Sequence, residues 1–369
     1  MSKWNVLPFG VLIRDDTRHA KKIKLEDYLS EGKYQIIDQG QGKVAGYAND
    51  EGGLYEDVPA IIFGDHTRIV KYVDRPFFLG ADGVKLLKAE NGRLDYKFLY
   101  YFFLSSNIPD TGYNRHFKWL KSLLIPVPPI KTQKHIANIL DKNQEIIDGH
   151  KKQLEELDNL IESYFYNVFG DPVANEQGWK IQTLKDVCNR VTDGTHNSPP
   201  NYAVGEYKYI TAKNIKRDGF DFSNLTYISE ADHKEIYDRC NPELGDVLYI
   251  KDGVTTGIAQ INTLHEKFSL LSSVALLKQK REVVNEYYLR EVLNDRIMYA
   301  NIRTNMGGAA ITRLTVHKIE LIQIPVPPMA IQTKFAEIVT QIENQKSLVK
   351  QSLVESQNLF NSLMSRYFD

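Results

Sequence analysis

The chain has 369 residues, of which 42% are hydrophobic and 25% charged, and its formal net charge is −1. The length predicts two or three domains, and a charge so close to zero excludes a uniformly basic protein that coats nucleic acid. Cys188 and Cys240 are too few for a disulfide framework or a four-ligand zinc site, which favours a reducing compartment. No signal peptide and no apolar stretch of about 18 residues is visible, so we expect a soluble cytoplasmic protein without a membrane segment.

Residues 1–125 form the first predicted domain, called domain one, which is mainly β. The apolar run at 57–63 and the many glycine turns predict strands. The segment DYKFLYYFFLSS at 95–106 predicts a short amphipathic helix. Residues 1–20 have no visible counterpart later in the chain.

Residues 126–170 join a proline-rich segment to a predicted long helix. Proline lacks a backbone donor and biases the residue before it away from helix, so the PVPP segment at 126–129 predicts an extended approach that ends where the helix begins. Ten positions in this helix are spaced alternately four and three residues apart, and eight of the ten are apolar. This average spacing of 3.5 residues is typical of a coiled-coil seam. They are Ile136, Leu140, Asn143, Ile147, His150, Leu154, Leu157, Ile161, Tyr164 and Val168.

Residues 171–324 form domain two, which the sequence predicts to be a distant relative of domain one. Runs at 207–211 and 246–250 predict strands. The segment GDVLYIKDGVTTG at 245–257 parallels PAIIFGDHTR at 59–68, since each is an apolar run that ends in Gly, Asp and hydroxyl residues. Two further alignments pair NEYYLREVLND (285–295) with DYKFLYYFFLSS, and TLKDVCN (183–189) with KLEDYLS (24–30).

Residues 325–369 repeat the proline segment and the long helix. The pentapeptide IPVPP at 125–129 returns at 324–328, an offset of 199 residues, and the similarity continues through the helix without a gap. The equivalent seam positions are again apolar in eight of ten cases: Phe335, Val339, Ile342, Lys346, Val349, Leu353, Ser356, Phe360, Leu363 and Tyr367. The polar seam positions Asn143, His150, Lys346 and Ser356 could set the register of pairing.

Two equivalent helices in one chain can pair in parallel or antiparallel. We expect antiparallel pairing, which would place the two domains at opposite ends of a rod, related by a pseudo-two-fold axis. Residues 133–168 would span about 54 Å. One turn of a DNA duplex is about 34–36 Å, so a rod of this length could hold two DNA-binding domains more than one turn apart. The plainer alternative is that these helices only dimerise the chain. The expected fold class is therefore α+β, with two mainly β domains separated by a pair of long antiparallel coiled-coil helices and an internal repeat.

These features resemble the specificity (S) subunit of type I restriction–modification enzymes, the HsdS family, over almost the whole chain. The resemblance rests on the paired PVPP-plus-helix repeats and on four stretches of domain two, namely VTDGTHNSPPNY (191–202), YITAKNIKRDG (209–219), GDVLYIKDGVTTG (245–257) and NMGGAAITRL (305–314). It implies two target-recognition domains, each followed by a conserved helical region. Domain one lacks the DGTH and KNI phrases.

Loops of both domains carry the residue types that bind DNA. Arg or Lys reads guanine and Asn or Gln reads adenine, while Lys, Arg, Ser, Thr and bare backbone contact the sugar-phosphate chain. The candidates in domain one are Gln39, Gln41, Lys43, His66, Thr67, Arg68, Tyr113, Asn114, Arg115, His116 and Lys118. The candidates in domain two are Thr195, His196, Lys213, Asn214, Lys216, Arg217, Lys251, Thr255, Thr256, Arg303, Asn305, Gly307, Gly308 and Arg313.

Each candidate taken alone is also consistent with an ordinary solvated loop residue. The group as a whole, together with the resemblance, favours a DNA-binding face. The DGTH turn could instead be structural, with Asp193 capping a turn and Gly194 supplying unusual backbone angles.

The resemblance implies a DNA sequence-specificity subunit that performs no reaction itself. Each domain would read one half of a split, asymmetric target in double-stranded DNA, and the coils would set the spacer between the halves. Two methyltransferase subunits and, where restriction occurs, two ATP-driven restriction subunits would assemble with it. S-adenosylmethionine, ATP and magnesium would belong to those partners. No predicted segment is basic overall, so the methyltransferase subunits would help to clamp the duplex.

Two other classes of protein stay open. A free-standing DNA-binding or scaffold protein would show the same repeats, and co-purification with a methyltransferase subunit would separate the two cases. A fused enzyme would need catalytic motifs. The stretch NSPPNY at 197–202 is close to the amino-methyltransferase motif but has Asn201 where that motif has an aromatic residue, and no glycine-rich turn for S-adenosylmethionine precedes it. We find neither a phosphate-binding loop nor metal-ligand spacing around the histidines.

Overall fold

The computed structural model describes residues 4–80, 83–304 and 313–369. Its internal contacts divide the chain into two units, of which unit 1 comprises Met1–Lys152 and Lys350–Asp369, and unit 2 comprises Gln153–Val349. Unit 1 therefore contains domain one, the first part of one long helix and the last part of the other. Unit 2 contains domain two and the remaining parts of both helices.

Domain one is built of short strands in three sheets, as far as the structure describes it. Its strands are β1 (Val6–Pro8), β2 (Ile13–Asp15), β3 (Tyr34–Ile37), β4 (Gly46–Ala48), β5 (Ala60–Gly64), β6 (Val70–Val73), β7 (Phe77–Leu79), β8 (Val84–Ala89) and β9 (Leu124–Pro126). Its helices are α1 (Phe9–Leu12), α2 (Tyr96–Ser105) and α3 (Phe117–Lys121), with 3-10 turns at Thr17–His19 and Leu25–Asp27.

The sheets of domain one surround β5, which is buried along its whole length. An antiparallel sheet has the order β2–β8–β5–β6, and a second sheet has the order β4–β3–β7, in which β3 and β7 run parallel. The remaining pair, β1 with β9, is antiparallel. Helix α2 covers one side of β5 because Leu99 and Phe102 join Ile61 and Phe63 in one apolar cluster.

The first long helix, α4 (Ile130–Phe169), begins directly after Pro129. The prolines therefore do what their chemistry predicts, since the chain is extended through β9 and becomes helical only when the last proline has passed.

Domain two repeats the arrangement of domain one. Its strands are β10 (Lys180–Thr183), β11 (Cys188–Asp193), β12 (Tyr207–Ile210), β13 (Ile215–Lys216), β14 (Gly219–Phe220), β15 (Thr226–Ile228), β16 (Val247–Ile250), β17 (Ala259–Ile261), β18 (Ser269–Leu270), β19 (Val274–Gln279) and β20 (Gln323–Val326). Its helices are α5 (Leu184–Val187), α6 (Glu230–Arg239), α7 (Glu286–Asn294), α8 (Arg296–Thr304) and α9 (Val316–Glu320), with a 3-10 turn at Ala212–Asn214. The second long helix, α10 (Met329–Phe368), follows Pro328.

The strand orders of the two domains correspond throughout. The sheet β11–β19–β16–β17 matches β2–β8–β5–β6, and β15–β12–β18 matches β4–β3–β7, again with one parallel pair, β12 with β18. The pair β10–β20 matches β1–β9. Domain two adds the hairpin β13–β14 and the helices α6 and α8. The expected fold class is thus confirmed, and so is the internal repeat.

Two details of the predicted repeat are wrong. Residues 1–20 do have a counterpart, because β1 and α1 occupy the places that β10 and α5 occupy in domain two. The segment TLKDVCN therefore corresponds to residues 8–14 and not to KLEDYLS. The reason is physical: β1 and β10 are recognised by the backbone hydrogen bonds that they make with β9 and β20, and such pairing leaves little trace in side-chain identity.

The two long helices pack antiparallel in each unit. In unit 1 the start of α4 packs against the end of α10, and Ile136 and Leu140 are buried against Phe360, Leu363 and their neighbours. In unit 2, Tyr164 stacks on Phe335 with 5.6 Å between ring centroids, and Asp158 pairs with Lys346 at 2.6 Å. Advancing along α4 from 158 to 164 thus means moving backward along α10.

The predicted coiled-coil seam is also present. None of its twenty positions is exposed, and the polar seam residue Lys346 is buried by its ion pairs with Asp158 and Glu343. Among the described residues, no helix combines the length and the apolar character that crossing a membrane would require.

Candidate nucleic-acid interface

In domain one, three separate loops meet beyond the end of β5. The main-chain N–H of His66 donates to Gln39 Oε1 at 3.2 Å, and the Thr67 hydroxyl donates to the Gln39 carbonyl oxygen at 2.7 Å. The imidazole of His66 stacks on the ring of Tyr113, with 4.8 Å between centroids and 10° between planes. The structure therefore brings together candidates that lie more than 70 residues apart in the sequence.

The buried carboxylate of Asp65 organises this meeting of loops. Its Oδ1 accepts the N–H of Phe117 at 2.7 Å, and its main-chain oxygen accepts the N–H of His116 at 2.7 Å. The side chain of His116 is also fully buried, with Nδ1 3.0 Å from the same Asp65 carbonyl. This position argues against direct contact between His116 and DNA, which we had expected, and for a role in holding the loop at 112–115.

The tip of the domain-one cluster is exposed and partly aromatic. Tyr113 is 89% exposed, so one face of its ring rests on His66 while the rest of the side chain is open to solvent. Arg68 has a left-handed backbone (φ 61°), and its guanidinium lies 2.6 Å from Asp110. The Gly112 N–H and this guanidinium hold the pKa of the Asp110 carboxyl below its usual range. Other exposed candidates are Gln41, Lys43, Asn114, Arg115 and Lys118.

In domain two, an ionic network holds the equivalent region. The ammonium of Lys251 lies 3.0 Å from Asp252 and 3.4 Å from Asp193, and the Lys251 side chain is only 2% exposed. Asp193 also pairs with Arg239 at 2.9 Å and with His196 at 3.1 Å, in the charged form of that histidine. Lys251 thus joins the DGTH turn to the loop that follows β16 and is shielded from any DNA partner.

The DGTH turn is structural for a different reason from the one expected. Gly194 does not have left-handed backbone angles. A Cβ added to it would instead lie 2.0 Å from the Leu270 carbonyl oxygen, so the residue must be glycine because another strand passes too close. The Asp193 carboxylate is engaged by Arg239, Lys251 and His196, which accounts for its buried position better than capping a turn would.

Two further candidates of domain two are buried in hydrogen bonds of their own loops. Asn214 is 2% exposed, accepts from both the N–H and the hydroxyl of Thr211, and donates to the Asp221 carbonyl oxygen. Thr256 is also 2% exposed, and its hydroxyl donates to the Gly253 carbonyl oxygen at 2.7 Å. Both side chains therefore shape loops and do not present themselves to a ligand.

The remaining candidates of domain two fall into two groups. Thr195, His196, Thr255 and Arg313 surround the Lys251 network, and Arg313 pairs with Asp252 at 3.1 Å. Lys213, Lys216 and Arg217 are exposed around the hairpin β13–β14, where Arg217 donates to the Asn294 carbonyl oxygen at the end of α7. Arg303 lies on α8 and donates to the Tyr299 hydroxyl. Asn305, Gly307 and Gly308 lie outside the described residues.

Val254 is a residue that the sequence analysis missed. It is 95% exposed at the tip of the loop between Gly253 and Gly257, which the buried Lys251 and Thr256 hold in place. Apolar side chains can contact the methyl group of thymine, so a search restricted to polar residues passes over such a position. The signal was present as a valine between glycine and threonine residues in a loop.

The geometry defines a chain in which one β framework occurs twice and presents loops of different chemistry at the same place. Residues 12–159 and 176–355 each match the model of the type I restriction modification DNA specificity domain. The chain belongs to this family.

Individual relatives support the assignment at low identity. The chain is 25% identical over 284 residues to the type I restriction enzyme MjaIX specificity subunit of Methanocaldococcus jannaschii, a match that covers 69% of this chain and 65% of that subunit. It is 22% identical over 377 residues to the EcoR124I/EcoR124II specificity subunit of Escherichia coli, covering 94% and 88% of the two chains.

Solved structures show the same fold. The S subunit of the type I restriction-modification system from M. genitalium superposes with a TM-score of 0.67 at 18% identity, covering all of this chain and 96% of that one. A chain from work on complex assembly and conformational transition of the type I R-M system gives a TM-score of 0.54 at 15% identity, covering 99% and 97%.

Proposed function

We propose that this chain is the DNA sequence-specificity subunit of a type I restriction–modification enzyme, and that each domain reads one half of a bipartite, asymmetric target. The observation that carries this proposal is the pair of equivalent loops after β5 and β16. The framework around them is the same, while their tips differ, with a His66–Tyr113 stack in domain one and an exposed Val254 in domain two. Equivalent positions with different side chains are what two readers of different base sequences need.

The long helices set the number of base pairs between the half-sites in this proposal. Each is 40 residues long, which corresponds to about 60 Å, or about 1.7 turns of a DNA duplex. Within unit 1 and within unit 2 the two helices pack antiparallel through apolar side chains. In this proposal the length of the helices determines the spacer.

The subunit itself is not catalytic in this proposal and acts in the cytoplasm. Two methyltransferase subunits would bind S-adenosylmethionine and methylate adenine, and two restriction subunits, where present, would use ATP and magnesium. The net charge of −1 favours this division of labour, because binding a duplex requires positive charge that partners would supply in part. The solved relative from work on assembly of the type I R-M system is consistent with such a complex.

The test is to change the spacer and one half-site separately. Inserting whole seven-residue repeats into both long helices keeps the seam in register. This change is expected to lengthen the preferred spacer and leave both half-sites unchanged. Replacing residues 172–324 by the second domain of another family member is expected to change one half-site only. Sequencing of methylated adenines across a genome that expresses each version, together with a methyltransferase subunit, measures both outcomes.

Three results would contradict the proposal. Altered half-sites with an unchanged spacer would refute the role of the helices, and a change of both half-sites on exchange of one domain would refute separate reading. Failure of the chain to co-purify with its methyltransferase subunit would favour the free-standing binding protein.

A further inference from the structure

Two fully buried glutamines, Gln133 and Gln332, lie at equivalent positions in the first turn of α4 and α10. They are 199 residues apart, the offset of the proline pentapeptide, and each stands four residues after the last proline. Buried amides are uncommon unless every donor and acceptor is used. Their surroundings show what each amide does.

In unit 1, Gln133 ties three pieces of backbone together. Its Oε1 accepts the N–H of Asp95 at 2.8 Å, and its Nε2 donates to the carbonyl oxygens of Arg93 and Pro128, both at 2.8 Å. Asp95 is the residue that caps the start of α2, and Pro128 belongs to the PVPP segment. The side chain therefore connects the recognition domain to the start of the long helix.

In unit 2, Gln332 makes the same three contacts with equivalent partners. Its Oε1 accepts the N–H of Asn285 at 2.8 Å, and its Nε2 donates to Val283 and Pro327 carbonyl oxygens at 3.1 and 2.7 Å. Asn285 caps α7 as Asp95 caps α2. A duplicated three-bond contact between otherwise divergent domains indicates a requirement common to both.

Only glutamine supplies this combination at this length. The amide offers one acceptor and two donor hydrogens, and here they meet one N–H and two carbonyl oxygens. Glutamate would lack the donors, and methionine would lack both functions. The prolines of the PVPP segment donate no backbone hydrogen bond, so without the amide fewer hydrogen bonds hold the joint between domain and helix.

Other contacts also hold each domain against its long helix. In unit 1, Asp141 of α4 accepts the Tyr101 hydroxyl at 2.8 Å and pairs with Lys97 of α2 at 2.5 Å. In unit 2, Arg290 of α7 lies 3.2 Å from Glu343 of α10. These contacts lie two turns or more along the long helix from the glutamine, so loss of the amide affects the angle of the joint more than the attachment itself.

We propose that Gln133 and Gln332 fix the angle between each recognition domain and its long helix, and that they thereby restrict the spacer length that the subunit accepts. This inference rests on the proposed function, because a spacer matters only to a bipartite reader. The glutamines are positioning residues: they touch no DNA and determine where the DNA-contacting loops stand.

The experiment uses the full chain assembled with its methyltransferase subunits. A library of duplexes carries both half-sites separated by the native spacer or by spacers one and two base pairs longer or shorter. In Gln133→Met and Gln332→Met variants, both half-sites are expected to stay the same, while the preference for the native spacer falls by roughly tenfold. Gln351→Met, at an exposed position of α10, is the matched control and is expected to behave as the unmodified chain does.

The outcomes separate the two proposals. If the unmodified complex shows no fixed spacer, the proposed function fails. If it does, and folded Gln133→Met and Gln332→Met complexes keep its full spacer preference, the glutamines are merely structural and the inference is overturned. A variant that changes the bases read would also overturn it. Should one methionine variant not fold, the other copy provides the same test, and the shorter Gln133→Asn and Gln332→Asn variants are expected to show a partial loss of preference.

Discussion

In domain one the loop after β5 is held by a carboxylate that accepts a backbone N–H, whereas in domain two the loop after β16 is held by a lysine buried between carboxylates. Asp65 and Lys251 occupy equivalent places, because their N–H groups donate to the carbonyl oxygens of Gly83 and Ser273, which directly precede the equivalent neighbouring strands. The same β framework therefore supports two ways of fixing a loop, one by a hydrogen bond from the backbone to a carboxylate and one by ion pairs to a buried lysine. The comparison teaches that the framework determines where a loop stands, while a few interior polar residues determine how firmly it is held.

Replacement of Lys251 by Met is expected to have the largest effect. It would leave the buried carboxylate of Asp193, which is 5% exposed, with only Arg239 and His196 as partners and would remove the cation that separates it from Asp252. Breaking a buried ion pair by removing one partner costs about 3–5 kcal/mol, so we expect a loss of free energy of unfolding of roughly 3 kcal/mol. Chemical denaturation of the purified chain, followed by circular dichroism, measures it.

Two controls sharpen this prediction. Lys213→Met removes an exposed lysine of the same domain and is expected to change little. Asp65→Asn in domain one keeps an oxygen that can accept the Phe117 N–H, so a loss below about 1 kcal/mol is expected. If Asp65→Asn and Lys251→Met cost the same, the distinction between a loop held by a hydrogen bond and a loop held by ion pairs is wrong.

Replacement of Tyr113 by Ala is expected to weaken DNA binding without affecting stability. The ring is 89% exposed, so its removal leaves the core intact, while it takes away an apolar contact with base edges or sugar in the groove, at an expected cost of about 1 kcal/mol. Tyr113→Phe keeps the ring and is expected to keep most of the affinity. The affinity of the methyltransferase complex for duplexes altered in either half-site measures the effect, and a loss confined to the half-site of domain two would contradict it.

The smallest expected effect is a pH dependence that belongs to domain two. Burial, together with the nearby Lys267 ammonium, lowers the pKa of His233 from its usual value of 6.5. The unfolded chain therefore takes up a proton that the folded chain resists, and stability falls as the pH decreases from 6.5 through the lower pKa of the folded state.

The matched variant is His233→Phe. Phenylalanine can keep the stack on Tyr207, in which the ring centroids lie 4.0 Å apart, while it cannot titrate. The change in unfolding midpoint between pH 7 and pH 5 is expected to be smaller in His233→Phe than in the unmodified chain. An unchanged pH slope would assign the effect to other groups.

The repeated framework was accessible from sequence because prolines and apolar periods report directly on backbone geometry. The PVPP segments and the seam positions predicted both long helices, and the Gly–Asp ends of apolar runs predicted equivalent loops. The polar interior was not accessible in the same way. Lys251, His116, Asn214 and Thr256 have side chains typical of exposed loops, and their burial depends on partners such as Asp65 that lie far away in the sequence. Which exposed candidates contact DNA stays a prediction.

The division of the chain into units has a consequence for its synthesis on the ribosome. Unit 2 is one continuous segment, complete once residue 349 has been added, whereas unit 1 needs residues 350–369 to cover Phe98, Tyr101 and Leu140. At about 5–20 residues per second, the polypeptide grows for roughly 10–40 s after residue 152 before these side chains can be covered. Domain one is thus synthesised first, but unit 1 is completed last. Until then the apolar side chains that residues 350–369 cover are exposed on the nascent chain.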